Sequence, residues 1–105
     1  MSKKDGDDKV GMMPGVIRRT LGWGERLMQI HFCVDAGSVF PPHSHENEQM
    51  GYVLKGKFEM TIGEKTSIMR TGDCFIIPSG VSHHARTIES TEIIDTFSPP
   101  REDYK

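Results

Sequence analysis

Four of the five histidines stand in two tight groups, His43-Ser44-His45 and His83-His84. His43 and His45 are two residues apart. On a strand, residues at that spacing point to the same face, so both imidazoles can reach one point. Imidazole is the commonest ligand for borderline divalent metals. Pro41-Pro42 stiffens the approach to the pair. Gln49 has the same parity, four residues beyond His45. A turn at Glu46-Asn47, followed by a resumed strand, would bring its side-chain oxygen to the same place. Glu48 is the rival ligand, and strand alternation points it outward. An isolated His-x-His is usually a solvated surface feature. Here the second group, framed by Gly72-Asp73 and Pro78-Ser79-Gly80, sits where a hairpin would aim a histidine inward from another strand. Of two adjacent residues only one faces in, and His83 is the one expected to do so.

A carboxylate supplies the next chemistry. Asp95 shares a strand face with Ile93 and Phe97. Burying a carboxylate costs free energy unless it is paired or useful. Two readings stand side by side. Asp95 can end its strand and pair with Arg101 in a structural salt bridge. Alternatively it is a general acid/base in the mouth of a pocket, where burial raises its pKa toward neutrality. On the second reading Arg101 holds a substrate carboxylate bidentately and Phe97 packs on the substrate's ring or chain. No Gly-x-Ser-x-Gly or Walker sequence is present, and neither cysteine has a flanking positive charge to activate it. Cys33 and Cys74 read as reduced core or semi-core thiols.

These side chains need a scaffold. The chain has 105 residues, of which 35% are hydrophobic and 27% charged, enough for one small domain. Eleven Gly, six Pro and short apolar runs favour an all-β fold. Met28, Ile30, Phe32 and Val34 alternate with polar residues, giving a strand over 26–34. Further strands are expected at 50–54, 57–62, 65–70, 74–77, 83–88 and 91–97. Lys55-Gly56, Gly63-Glu64 and Pro78-Gly80 are read as the turns between them. Met28, Met50, Met60 and Met69 are expected to fill the core. Eight or more short antiparallel strands suggest a closed barrel or jelly roll. Residues 1–9 read as a disordered polar tail, and 10–105 as the domain.

Composition also excludes partners. Thirteen Lys and Arg against 15 Asp and Glu leave a net charge of −2, which argues against a nucleic-acid binder. No apolar run is long enough for a membrane span, and the polar start lacks a secretory h-region, so cytoplasm is the expected location. A barrel this small has sheet edges to cover, and a homodimer is expected.

The two histidine groups together resemble a known family. Gly37-x5-His43-x-His45-x3-Gln49-x6-Gly56 is similar to the first cupin motif, and Gly72-x5-Pro78-x-Gly80-x2-His83 to the second. The resemblance implies a small cupin β-barrel (double-stranded β-helix, or jelly roll) holding one divalent metal. Gln49 stands where the motif usually has Glu, and Thr87 where the second motif usually ends in Asn. Without that negative charge the metal is more electrophilic. The Asp95-Thr-Phe97-Ser-Pro-Pro-Arg101-Glu-Asp-Tyr104 ending resembles the uronate-linearising cupins of pectin and alginate breakdown, the KdgF type. That resemblance implies opening of a 4,5-unsaturated monouronate to a linear keto sugar. It further implies His43, His45, Gln49 and His83 as metal ligands, and Asp95, Phe97 and Arg101 on the substrate side. The metal can be nickel, zinc, iron or manganese, since all accept such ligands. The competing functions are a cupin oxygenase with a redox-active metal and a non-catalytic binder of a small acid or sugar, because fold alone does not decide function.

Overall fold

The computed structural model of the protein describes residues 2–3 and 9–105. Nine strands run in the order β1 (Ser2–Lys3), β2 (Lys9–Met13), β3 (Val16–Trp23), β4 (Met28–Val34), β5 (Val39–His43), β6 (Glu48–Ile62), β7 (Lys65–Arg70), β8 (Cys74–Ile77) and β9 (His83–Ser98). Every pairing between them is antiparallel. The hydrogen-bonded order is β1-β3-β4-β9-β6-β7, with β2 on β3, β5 on β9 and β8 on β6. The expected tail falls mainly outside the described residues. Within them, Ser2–Lys3 pairs with β3 and Lys9 opens β2. No helix among the described residues is long and apolar enough to cross a membrane.

β6 and β9 form the spine. From Thr91 to Phe97, β9 lies between β4 and the first half of β6. From His83 to Arg86 it lies between β5 and the second half of β6. The turn expected at Lys55-Gly56, and the break expected between 83–88 and 91–97, are instead corners inside these two continuous strands. The β6–β9 register shifts three times between Val53 and Phe58. Such bulges let one strand pass from one sheet layer to the other. Gly56 has φ +113°, and a Cβ there would meet Thr91 Oγ1 at 2.3 Å and the Ser90 carbonyl oxygen at 2.5 Å. Only glycine fits both constraints. Thr91 pins the corner from the other side: its hydroxyl accepts from Lys57 N at 3.2 Å and donates to the Glu89 carbonyl at 2.8 Å.

The remaining turns fall where local chemistry places them. Gly63 (φ +61°) supplies a left-handed residue at the β6–β7 hairpin. Gly72 (φ +90°) and Gly80 (φ +78°) do so in the connections on either side of β8. That strand pairs with β6 rather than with β7 or β9, so the hairpin expected before His83 is instead a crossing turn. β4 turns Met28, Ile30, Phe32 and Val34 inward, as its period-2 pattern requires. They join Val16, Phe97 and Tyr104 in one half of the core. Val53, Phe58, Met60, Phe75, Ile77 and Ala85 build the other half, with Phe40 packed against both. Met50 does not join the core. It lies on the outer face of β6 and is 48% exposed. Cys74 is likewise exposed and Cys33 only partly buried, both unbridged.

After β9 the chain folds back over the barrel. The Ser98–Pro99 peptide is cis, and Asn47 Nδ2 donates to the Pro99 carbonyl at 2.6 Å. A short 3-10 turn, Glu102–Tyr104, follows. Thr20 Oγ1 donates to the Tyr104 carbonyl. The Tyr104 ring packs edge-on against Phe32 and Phe97. This return places Arg101 over the open end of the barrel.

Candidate metal centre and proton-transfer site

Three strand ends and one loop bring the site together. His43 closes β5 and His83 opens β9, and the two are register partners. Gln49 is the second residue of β6 and faces inward, while Glu48 is exposed. His45 differs from the expectation: it lies in the bend between β5 and β6, not on a strand. The Pro78-Ser79-Gly80 turn holds that bend in place. Gly80 N donates to the His45 carbonyl at 2.8 Å, and Ser79 Oγ donates to the Glu46 carbonyl at 2.6 Å. The second sequence motif thus positions the loop of the first.

The three imidazoles converge. One nitrogen from each lies within 4.8 Å of the others, and the ring centroids are 4.2 to 5.9 Å apart. Each Nδ1 sits 2.9 Å from a backbone carbonyl: His43 from Pro41, His45 from Asn47 and His83 from Val81. A carbonyl can only accept, so Nδ1 carries the proton in all three rings. Each Nε2 is left as a lone pair, the form that binds a metal, with the other ring nitrogen fixing its orientation. Burial pushes the pKa of His45 and of His83 down, which keeps both rings neutral near pH 7. Gln49 Oε1 lies 3.1 Å from His45 Nε2. Both atoms are then acceptors, and a cation between them resolves the contact. The donor set therefore fits a divalent ion of the zinc, nickel, iron or manganese class.

The same glutamine reaches a carboxylate. Gln49 Nε2 donates to Asp95 Oδ2 at 3.0 Å. Asp95 is 5% exposed. Burial pushes its carboxyl up to about 7, although the bond from Gln49 pulls the other way. Oδ1 has no hydrogen-bond partner among the described residues. The alternative of a salt bridge between Asp95 and Arg101 does not form. Arg101 pairs with Asp103 at 3.2 Å and lays its guanidinium over Tyr104, 4.1 Å from the ring centroid, and over Phe97 at 5.5 Å.

His43, His83, Gln49, Asp95, Phe97 and Arg101 line one cavity of about 260 Å³. Phe97 is 1% exposed, and its ring also meets His45 edge-on. Met12 and Met13 from β2 and Tyr104 complete the rim. Sequence reasoning assigned no role to these three, since only the fold brings β2 and the chain's end to the cavity. It also missed Gly51, the register partner of Asp95. A Cβ on Gly51 would stand 2.0 Å from the Phe75 ring and 2.5 Å from Asp95 Oδ1. Glycine here leaves the carboxylate its room. The inward parity of 49, 51 and 53 was the available signal.

Comparison with known proteins agrees with this architecture. The cupin domain family matches residues 30–97. The pectin degradation protein KdgF of Dickeya dadantii (strain 3937) is 33% identical over 92 residues, covering 86% of this chain and 84% of that protein. Among solved structures, KdgF from a Halomonas species superposes with a TM-score of 0.89 at 34% identity, covering 93% of this chain and 91% of that one. An RmlC-like cupin from Shewanella frigidimarina superposes with a TM-score of 0.90 at 30% identity, covering 98% and 95%.

Proposed function

The chain belongs to the cupin family, and from that premise we propose that it converts 4,5-unsaturated monouronates to linear keto sugars with the help of one divalent metal. The observation that carries this reading is Asp95: a buried carboxyl with an unpartnered oxygen, in the same cavity as His43, His83 and Arg101. The similarity to a pectin degradation protein supports the substrate class.

The reaction needs one proton delivered to carbon and one removed from oxygen. With a pKa raised to about 7, Asp95 is present in both protonation states near neutral pH. It can give the proton on Oδ1 and take another back, the balance a general acid/base requires. Gln49 fixes the carboxyl from the Oδ2 side, so Oδ1 is the atom that works. His43, His45 and His83, with Gln49, would hold the metal, which when bound supplies Lewis-acid polarisation of a substrate oxygen. Arg101 is anchored over two aromatic rings and offers its guanidinium to the uronate carboxylate. Phe97 gives the sugar an apolar floor and keeps water from the proton path. None of these tasks needs a nucleophilic Ser or Cys.

The reading includes a homodimer in the cytoplasm. Met50, Tyr52 and Ile76 are each about half exposed and adjoin one another on the outer face of β6 and β8, which supports a second copy as cover. The mass in solution checks this, with a monomer as the contrary result. The enzymatic reading is tested by Asp95→Asn. We expect metal content to be retained and kcat to fall by about 10²–10⁴. Full activity in that variant would remove the acid/base role.

A further inference from the structure

The outer face of the β4–β9 pair carries another convergent donor set, which the proposed reaction does not use. Among the described residues, His31, Cys33 and Glu92 bring a ring nitrogen, a sulfur and a carboxylate oxygen within 4.8 Å of one another. Cys33 and Glu92 are register partners, and His31 is two residues along β4 on the same face. That face is the one opposite Ile30, Phe32 and the barrel interior. His31 Nε2 is 3.0 Å from Glu92 Oε1 and 4.0 Å from Cys33 Sγ. All three residues are partly buried.

We propose that His31, Cys33 and Glu92 form a second metal site, for one thiophilic ion of the zinc class. Zinc bonds of about 2.0–2.3 Å to N, O and S set donor separations of about 3.3–3.7 Å in a tetrahedral shell. The separations of 3.0 and 4.0 Å stand on either side of that range, so small side-chain rotations suffice. The backbone of all three residues is already fixed by ladder pairing, and rigid elements make the more accurate sites. A fourth position remains for water. A structural ion pair between His31 and Glu92 would need no thiol, yet Cys33 stands beside it.

The charges balance. Binding breaks the S–H bond of Cys33, the proton leaves to the buffer, and thiolate and carboxylate together offset two positive charges. In the metal-free protein burial and Glu92 favour the neutral thiol, while Lys9, Arg19 and Lys55 favour the thiolate. Lys55 approaches the other carboxylate oxygen, Oε2, at 3.7 Å and leaves Oε1 toward His31. The inner and outer sets differ in softness: three imidazoles and an amide inside, a thiolate outside. Thiolate selects softer ions, so the two sites discriminate differently among metals.

Cobalt(II) tests this, because only the outer set contains sulfur. The Cys74→Ser chain, which removes the exposed thiol, is titrated with Co²⁺ under reducing, chelator-free conditions. The expected result is two ions bound per chain and a thiolate-to-cobalt charge-transfer band. In that background His83→Ala should keep the band with one ion bound, whereas Cys33→Ser or His31→Ala, with His83 intact, should abolish the band and leave one ion. Saturation at one ion with no such band would overturn the proposal. So would a band that persists without Cys33.

Discussion

The side-chain amide of Gln49 joins the two halves of the site. Its Nε2 donates to Asp95 Oδ2 at 3.0 Å, and its Oε1 stands 3.1 Å from His45 Nε2. One neutral residue thus touches both the buried Asp95 carboxyl and the imidazole cluster. This explains a glutamine at the position where the cupin motif usually has glutamate. A carboxylate there would have no N–H to donate and would place a second negative charge against Asp95.

Gln49→Glu is therefore expected to retain or tighten metal binding while lowering kcat. The added charge favours the cation, but repulsion raises the Asp95 pKa further and holds it protonated. A fall of about 10²-fold in kcat is expected at pH 7. Metal content by mass spectrometry and steady-state kinetics check the two effects separately. Unchanged kcat with full metal loading would refute the role of the amide.

Asp95 also links stability to pH in the metal-free protein. Its carboxyl is raised from 3.8 to about 7 by burial, so the folded state binds more protons than the unfolded state between those values. Its contribution is complete below about pH 4 and is lost as pH rises toward 7, on the order of a few kcal/mol. His45 and His83 act in the opposite direction. Their lowered pKa values cost stability as pH falls through the unfolded histidine value of about 6.5. The difference between Tm curves for wild type and Asp95→Asn isolates the carboxyl. We expect the variant to gain relative stability as pH rises from 4 to 7. Parallel curves would show that burial of Asp95 carries no such penalty.

Arg101→Ala separates substrate binding from chemistry. A charged hydrogen bond to the uronate carboxylate is worth about 1.5–3 kcal/mol, so KM should rise roughly 10–100-fold. Neutral ligands of similar shape should bind as before. An unchanged KM for the uronate would place the carboxylate elsewhere.

Gly51→Ala tests the space beside Asp95. The added methyl would overlap the Phe75 ring and crowd Oδ1. A loss of about 1–3 kcal/mol in unfolding free energy is expected, together with reduced kcat. Denaturant unfolding at wild-type stability would mean that Phe75 moves aside freely.

Much of this site could be read from side-chain type and parity. Gln49 and His83 face inward as strand alternation requires. Gly63 and Gly80 mark real turns because a left-handed residue is a local requirement, although only the turn at Gly63 closes a hairpin. The corners were hidden for a related reason. Lys55-Gly56 has the local chemistry of a hairpin, and only long-range pairing of β6 with β9 shows that the strand continues. His45 reaches the cluster from a loop tied to Asn47 and Gly80, so parity gave the right convergence without the right backbone. The partner of Arg101 depends on how the tail returns over the barrel. That return is set by Asn47 and Thr20, both remote in sequence.

The most direct test is a spectrophotometric assay of the metal-loaded protein with unsaturated galacturonate and guluronate monomers, following loss of the conjugated double bond beside a chelated control. The account predicts loss of the double bond that depends on bound metal. No loss with the three-histidine site fully loaded would contradict it.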